Sequence, residues 1–245
     1  MSDCQNGDHL SPRPTASGDT EFPLVGNGQS HPQGPTEWVY SGHAVGVGPW
    51  PGPWPDDPWY DPDLLRDGDR RNVVDAYRYW RRDAVVAALD TRRHPLHIAI
   101  ENFGHDHNIG TVVRTANAFA AAEVHIVGRR RWNRRGAMVT DRYQHLRHHD
   151  DTAALLAHAA TAGLSVVAVD NSPGALRLET VCLPRQCLLL FGQEGPGLTA
   201  QAREGAALTV SIAQFGSTRS INAGVAAGIA MHAWIRQHAD LGTAW

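Results

Sequence analysis

The sequence predicts an α/β fold in which a mainly parallel sheet carries helices on both faces. Strand-like and helix-like patterns alternate over residues 96–238, which is typical of such sheets. The apolar run 188–191 breaks into a loop with three glycines, residues 192–198, as a buried strand does when it brings backbone close to a ligand. Residues 221–235 are apolar nearly all round, which indicates a helix buried on several sides.

Composition limits the class of protein. A chain of 245 residues with 42% hydrophobic content can bury one sizeable core or two small ones. No apolar run reaches the roughly 18 residues of a membrane span, and residues 1–10 are polar, so we expect a cytoplasmic protein. The net charge of -3 argues against wholesale coating of nucleic acid, but it allows a local basic patch.

Residues 1–68 are expected to form a low-complexity, largely disordered Pro/Gly/Trp-rich arm, because most of the prolines of the chain lie there. Trp50, Trp54, Trp59 and Tyr60 could pack on the folded domain, which we favour, or stack on RNA bases. Residues 69–93 are predicted to form a basic amphipathic helix that is either a solvated face or an RNA contact. Its apolar stripe comprises Val73, Tyr77, Trp80, Ala84 and Ala88.

The alternating region, residues 94–240, is predicted to be one domain. Helices are expected at residues 108–119, with Asn108 as N-cap, at 152–163, and at 220–238, with Ser220 as N-cap. Gly224 and Gly228 permit close helix–helix approach in the last helix, part of which we expect a second subunit to bury. Strands are predicted at residues 96–100, 124–128, 164–170, 187–191 and 207–212.

A dense basic run follows the second strand. Arginine matches phosphate geometry and Trp can stack on a base, so this run is a candidate RNA-binding surface as well as an ordinary solvated one. Its members are Arg129, Arg130, Arg131, Trp132, Arg134 and Arg135. Histidines are frequent nearby, but only His145 and His149 have helical i,i+4 spacing, and no neighbouring ligands complete a zinc site. We therefore predict no metal.

Three segments stand together in this domain: Asn108-Ile109-Gly110 with Arg114, residues 191–198, and Ser220-Ile221-Asn222. Their order and flanking strands resemble the three motifs of the SpoU/TrmH-type RNA ribose 2′-O-methyltransferases of the SPOUT class. The resemblance covers roughly residues 94–238. It implies a C-terminal deep trefoil knot, S-adenosylmethionine as methyl donor, an rRNA or tRNA substrate, and a homodimer formed through the last helix. Two departures, Ala120-Ala121-Ala122 in place of a glycine and Ile221 in place of Leu, keep apolar volume.

The resemblance also implies roles for individual residues. Arg114 would act on the target ribose hydroxyl or its phosphate, and Glu194 is the acid of the second motif. The implied catalytic residues are Asn108, Arg114, Glu194, Ser220 and Asn222. The implied cofactor-binding residues are Phe191, Gly192, Glu194, Gly195, Ile212, Gln214, Phe215, Ser220 and Ile221.

The chemistry of methyl transfer agrees with these residue types. In-line displacement from a sulfonium requires a positioned hydroxyl that eventually loses its proton. The pKa of arginine is too high for an efficient base, so Arg114 is interpreted mainly as a positioner and charge stabiliser; a surface salt bridge is the plainer alternative. A non-catalytic RNA-binding protein that retains the fold is the alternative function. A phosphate-binding loop is disfavoured because the glycine loop lacks Lys and Ser/Thr at its end.

Overall fold

The computed structural model describes residues 46–104 and 108–243. Two compact units divide the chain, Met1–Thr91 and Arg92–Trp245. Most of the predicted disordered arm, residues 1–45, lies outside the described residues. For residues 46–68, however, the structure differs from the prediction, because this stretch contains a short helix, α1 (Pro62–Asp67), with a capping aspartate before it and a glycine after it.

Aromatic rings order this proline-rich stretch. The ring centroid of Trp50 lies 5.8 Å from that of Tyr60 and 5.2 Å from that of Tyr79, and Trp59 lies 5.9 Å from Trp80. Such edge-on and tilted pairs add to the apolar area that large rings bury. Trp50 and Trp59 therefore pack on neighbouring residues of the same unit, whereas Trp54 is 49% exposed.

The helix predicted over residues 69–93 is mostly wrong. Helix α2 spans only Arg82–Asp90, and the residues before it form bridges and one 3₁₀ turn at Asp75–Tyr77. Tyr79 has a φ of 64°, which is incompatible with a continuous α-helix. Tyr77 and Trp80 are buried, as the predicted apolar stripe required, but they pack against each other, and Trp80 also against Trp59, rather than on one face of a helix.

A buried carboxylate holds this non-helical segment. Asp69 is fully buried, and it accepts hydrogen bonds from the Arg71 side chain at 2.7 and 2.9 Å and from the backbone N–H groups of Arg71 and Tyr79 at 2.9 Å each. Burial opposes ionisation, but these hydrogen bonds outweigh it and hold the pKa of the Asp69 carboxyl below its ordinary value.

Asp69→Asn is expected to destabilise the N-terminal unit by about 3 kcal/mol, because the change leaves the Arg71 guanidinium without its buried counter-charge. Hydrogen exchange of peptides covering residues 60–80 measures the loss as faster exchange. Asp63→Asn is the matched control, since Asp63 is a largely exposed partner of Arg66 and such pairs contribute at most about 1 kcal/mol. Equal protection of both variants would contradict the role given to Asp69.

The stabilisation that Asp69 provides should depend on pH. Because the folded-state pKa of Asp69 is lowered, its contribution to stability is present above the ordinary aspartate pKa and is lost as the pH falls through the folded value.

The C-terminal unit confirms the predicted parallel α/β sheet. All seven strands pair in parallel, in the order β3-β2-β1-β6-β4-β7-β5. The strands are β1 (His94–Asn102), β2 (Ala121–Gly128), β3 (Leu146–His149), β4 (Ser165–Val169), β5 (Leu176–Arg177), β6 (Cys187–Phe191) and β7 (Leu208–Ser211). Since parallel strands end at one edge, the loops that follow β1, β6 and β7 are brought to the same side of the sheet.

Helices cover both faces of this sheet, as predicted. One buried cluster joins the strands to α3 (Ile109–Ala118) and α6 (Ala223–His238), and a second joins them to α4 (Thr152–Thr161) and α5 (Ala200–Glu204). Strands β3 and β5 and helix α5 were not predicted, because they are too short to show a period. No helix among residues 46–104 and 108–243 is long and apolar enough to cross a membrane.

The structure confirms Asn108 as the N-cap position of α3 and corrects the predicted cap of α6. Asn108 precedes α3, but its side chain makes no capping hydrogen bond because its amide is engaged elsewhere. Helix α6 begins after Asn222 rather than Ser220. The Asn222 Oδ1 atom accepts from the backbone N–H groups of Gly224 at 2.9 Å and Val225 at 3.2 Å, which satisfies two of the free donors at the helix start.

Candidate active site

Asn108 links three segments that are far apart in the sequence. Its Nδ2 donates to Glu194 Oε2 at 3.1 Å, and its Oδ1 accepts from Asn222 Nδ2 at 2.9 Å. Asn108 precedes α3, Glu194 lies in the loop after β6, and Asn222 begins α6. The structure therefore brings together one predicted residue from each of the three motifs.

The glycine loop after β6 folds back on itself. Gln193 and Gly197 form an antiparallel bridge, and Gly197 N–H donates to Gln193 O at 3.1 Å. Gly195 and Gly197 have φ values of 92° and 73°, which favour glycine. A side chain at Gly192 would overlap the backbone of Gly197. These glycines therefore set the course of the loop that carries Glu194.

A buried glutamate anchors the end of this loop. Glu101, at the carboxyl end of β1, is fully buried. Its Oε1 accepts from the hydroxyls of Thr199 at 2.6 Å and Thr152 at 2.9 Å, and its Oε2 accepts from Thr199 N–H at 2.8 Å. Thr199 directly follows the loop and caps α5. Glu101 was not predicted from the sequence, although a charged residue at the end of an apolar strand indicates a buried polar contact there.

A cavity of about 330 Å³ lies between the loops after β4 and β7. Predicted cofactor residues Ile212 and Gln214 line it. Gln214 Oε1 is buried and accepts no hydrogen bond from the described part of the chain, so it is available to a ligand donor. The remaining lining residues, which the sequence analysis missed, are Asn171, Ser172, Ala175, Arg177, Ser211, Gly216, Thr218 and Arg219.

The segment from Gln214 to Asn222 connects this cavity to the asparagine cluster, which we define as the hydrogen-bonded side chains of Asn108, Glu194 and Asn222. Asn171 Nδ2 donates to the Arg219 carbonyl at 2.7 Å, which ties the segment to the loop after β4. Ser220 is exposed, and its carbonyl accepts from the Thr218 hydroxyl at 2.9 Å. The cavity and the cluster are thus successive parts of one stretch of chain.

Other predicted site residues differ in their surroundings. Arg114 is exposed on α3, and among the described residues no hydrogen bond or ion pair engages its guanidinium. Phe191 is buried in the core at the end of β6, so its ring faces the protein interior. Phe215 is 97% exposed, whereas Ile221 is half-buried. Of these four, Arg114 and Phe215 are open to a ligand.

The basic run after β2 is largely exposed. Arg134 pairs with Asp141 at 3.2 Å, and its guanidinium carbon lies 5.6 Å from the centre of the Trp132 ring. Trp132 is half-buried against the core, so its ring is less open to a base than expected. Arg129 donates to the Gly104 carbonyl at 3.1 Å, and Arg130 approaches Asp150 at 3.8 Å. The side chains of Arg131 and Arg135 are also exposed.

Solved structures with this fold include RNA-modifying enzymes. The A. aeolicus TrmH/SpoU tRNA modifying enzyme superposes with a TM-score of 0.57 at 22% identity, covering 64% of this chain and 81% of that one. The AdoMet-bound rRNA methyltransferase from Sinorhizobium meliloti has a TM-score of 0.53 at 25% identity, covering 60% and 59%. A third structure, described as giving structural insights into the 2-OH methylation of C/U34 on tRNA, has a TM-score of 0.52 at 30% identity, covering 59% of this chain and 96% of that one. The fold and the three-segment site define a methyltransferase that acts on RNA.

The family follows from the sequence match. The model of the SpoU rRNA Methylase family matches residues 95–232, more than half of the chain, and the chain belongs to this family. The tRNA (guanosine(18)-2′-O)-methyltransferase of Escherichia coli K12 is 27% identical over 165 residues, which cover 66% of this chain and 72% of that protein. An uncharacterized tRNA/rRNA methyltransferase of Mycolicibacterium vanbaalenii is 33% identical over 172 residues, covering 67% and 54%.

Proposed function

We propose that this protein transfers a methyl group from S-adenosylmethionine to a ribose 2′-hydroxyl of tRNA or rRNA in the cytoplasm. The observation that carries the proposal is the Asn108 amide, which joins Glu194 and Asn222 within hydrogen-bond distance. The three motif segments of the family thus share one site. The family match spans all three segments.

The residues around the cavity suit S-adenosylmethionine. Its amino groups are donors, and Gln214 Oε1 is a buried acceptor that needs one. Ile212 lines the cavity as an apolar residue. The loop that contains Gly192 and Gly195 is not part of the cavity lining and would contribute backbone groups from the end of β6. When bound, the donor supplies an electrophilic methyl group on sulfur. Phe191 would contribute only through its backbone, because its side chain is in the core.

The chain's own residues would position the acceptor hydroxyl. Arg114 is exposed and offers five N–H donors, which suit the ribose oxygen and the adjacent phosphate. The Asn108 amide holds the Glu194 carboxylate at the site. Asn222 caps the start of α6 beside it, and the exposed Ser220 precedes this cap by two residues. Alignment of reacting groups can lower a barrier by several kcal/mol, so positioning is the main work assigned to these side chains.

The RNA would lie across exposed arginines. Arg131 and Arg135 are the best phosphate partners, because Arg129, Arg130 and Arg134 already contact protein oxygens. Trp132 supports this run by packing beneath Arg134 rather than by offering a free face. Phosphate contacts of this kind position an RNA without reading its sequence.

Two features of assembly belong to the same proposal. Val225 and Ile229, four residues apart on α6, are 53% and 41% exposed, which suits a homodimer formed through this helix. The trefoil knot would include the segment that leads into α6. This assignment of the knot is supported by the hydrogen bond from Asn171 to the Arg219 carbonyl, which holds that segment against the loop after β4.

Two substitutions of Asn222 test its role in helix capping separately from its role in methyl transfer. Asn222→Ala removes both the cap and the hydrogen bond to Asn108, so we expect about 1 kcal/mol of destabilisation and loss of methyl transfer. Asn222→Asp keeps an acceptor for the cap but loses the donor to Asn108 Oδ1, so stability is retained while activity falls by at least about 10-fold. The measurement is tritium transfer from labelled S-adenosylmethionine into bulk tRNA and rRNA, together with thermal unfolding.

The same assay tests the proposed function. Label in a base rather than a ribose would refute the 2′-O assignment. RNA binding without calorimetric binding of the donor would favour the non-catalytic alternative. An Asn222→Asp variant with wild-type activity would show that the bond to Asn108 is dispensable.

A further inference from the structure

A cluster of imidazoles lies on the sheet face that packs against α4, apart from the asparagine cluster. His97 Nδ1 lies 3.0 Å from His125 Nε2, and His125 Nδ1 lies 2.9 Å from His149 Nε2. The ring of His158, on α4, lies 5.2 Å from that of His125. Glu123 Oε2 is 3.8 Å from His125 Nε2. None of these groups belongs to the site proposed above for methyl transfer.

The sheet register places these ligand-bearing residues together. His97 on β1 is the parallel partner of Glu123 on β2, and the two-residue strand period puts His125 on the same face as Glu123. One ligand atom from each of these three residues lies within 4.8 Å of the others. This ligand set differs from the sequence-based expectation that no neighbouring ligands complete a zinc site. His149, noted there for its i,i+4 spacing from His145, lies in β3.

Hydrogen bonding between imidazoles explains only part of this cluster. It accounts for both ring nitrogens of His125, since one can donate and the other accept. The Glu123 carboxylate has a partner of its own, Arg147, at 3.0 and 3.1 Å. Neither set of contacts accounts for the approach of Glu123 Oε2 to His125 Nε2, at 3.8 Å, beside the nitrogen that His97 already contacts. Polar groups placed beside an apolar core need compensation. A cation between the two imidazoles and the carboxylate would engage all three.

We propose that His97 Nδ1, His125 Nε2 and the Glu123 carboxylate bind a Zn²⁺ ion. Bonds of about 2.0–2.2 Å in tetrahedral geometry place ligand atoms roughly 3.3 Å apart. The separations from His125 Nε2 to His97 Nδ1 and to Glu123 Oε2, 3.0 and 3.8 Å, bracket that value, and one ligand atom from each of the three residues lies within 4.8 Å of the others. Two imidazoles with one carboxylate suit zinc rather than magnesium or calcium, which prefer oxygen ligands.

The neighbours of the proposed ligands have the arrangement expected around a zinc ion. His149 Nε2 accepts from His125 Nδ1–H when His125 Nε2 is the ligand, which sets the tautomer of His125. Arg147 Nε donates to both oxygens of Glu123, at 3.0 and 3.1 Å, and orients the carboxylate. His97 and Glu123 are half-buried, so an ion can enter from their side.

The proposed ion would stabilise the sheet rather than take part in methyl transfer. His97 precedes the carboxyl end of β1 at Asn102 by five residues, or roughly 16 Å of strand. The ion would join β1 to β2, and through His149 it would also constrain β3. Its loss should therefore lower thermal stability before it affects the reaction.

The experiment uses the full chain, stripped with a chelator and titrated with Zn²⁺ alone against a chromophoric competitor. We expect one equivalent to bind and to raise the Tm of the wild-type protein. His97→Asn and Glu123→Gln, at half-buried positions that should tolerate change, are each expected to weaken binding by at least about 100-fold. His149→Ala should weaken it about 10-fold, because it removes the hydrogen bond that orients a ligand. Co²⁺ should give the visible absorption of a tetrahedral site in the wild type but not in His97→Asn or Glu123→Gln.

His145→Asn is the matched control, because His145 is an exposed histidine immediately before β3. It should bind Zn²⁺ with wild-type affinity. Absence of stoichiometric binding by the wild type, or unchanged affinity in both His97→Asn and Glu123→Gln, would overturn the proposal. Circular dichroism of each variant distinguishes loss of a ligand from loss of the fold. The assay reads metal affinity, so its result is independent of methyltransferase activity.

Discussion

Arg114→Ala should reduce kcat/KM for methyl transfer by about 100-fold or more, as expected when one charged group that stabilises the transition state is removed. Arg114 is exposed on α3, one turn and a half after Asn108, and no described residue pairs with its guanidinium. Because it supports no neighbour, its removal should leave the fold unchanged. Single-turnover transfer of tritiated methyl into RNA measures the chemical step, and calorimetry measures binding of the methyl donor.

The split between these measurements tests the role of Arg114. Donor affinity and Tm should stay at wild-type values while the single-turnover rate falls. Arg236→Ala, which removes another exposed arginine near the end of α6, is the matched control and should retain full activity. A wild-type rate for Arg114→Ala would leave Arg114 as ordinary helix surface. Recovery of part of the rate in Arg114→Lys would indicate that charge matters more than the planar fork of donors.

Gly192→Ala is expected to abolish donor binding and to destabilise the C-terminal unit. A methyl group at this position would overlap the Gly197 carbonyl carbon and the Leu198 nitrogen and would lie 2.6 Å from the Gly197 oxygen. Backbone cannot yield as a side chain can, so the bridge between Gln193 and Gly197 must open and displace Glu194. We expect a stability loss of about 2–3 kcal/mol, as for other overpacked sites. Calorimetry with S-adenosylmethionine and thermal unfolding measure the two effects.

Gly228→Ala provides the control for a glycine-to-alanine change in the same unit. The nearest atom to the added methyl would be Thr115 Cγ2 at 3.8 Å, an ordinary contact. Alanine is also favoured over glycine inside a helix by about 1 kcal/mol, so this variant should be equally or more stable. If Gly192→Ala has the same stability and donor affinity as Gly228→Ala, then the close approach of Gly192 to the Gly197 backbone is not needed for folding or for donor binding.

Much of the C-terminal unit could be predicted from sequence because its signals are periodic and local. The apolar runs at β1, β4 and β6 and the patterns of α3, α4 and α6 each identify themselves within one segment. The three motif segments could be proposed as one site because loops after parallel strands share an edge. The hydrogen bonds within the site could not be predicted, as Asn108 shows. Its position before α3 predicts a side-chain bond to the helix backbone, but its side chain bonds to Glu194 and Asn222 instead.

What the sequence did not predict depends on contacts between distant residues. The region before α2 reads as helical by spacing, but the buried Asp69 carboxylate and the aromatic rings hold it in another conformation. The His97, Glu123 and His125 cluster was missed because its members lie on two strands whose register is not visible locally. Glu101 likewise acquires its partners from α4 and α5.

The hydrogen bond between Asn108 and Asn222 makes assembly of the site depend on two segments that are translated far apart in time. Asn108 emerges from the ribosome more than a hundred residues before Asn222 does, and the hydrogen bond needs both. A nascent chain that has completed six strands already has most of its core, yet it has no finished pocket for a nucleoside. A translation product that stops before Asn222 would therefore lack this contact, and we expect it to be inactive.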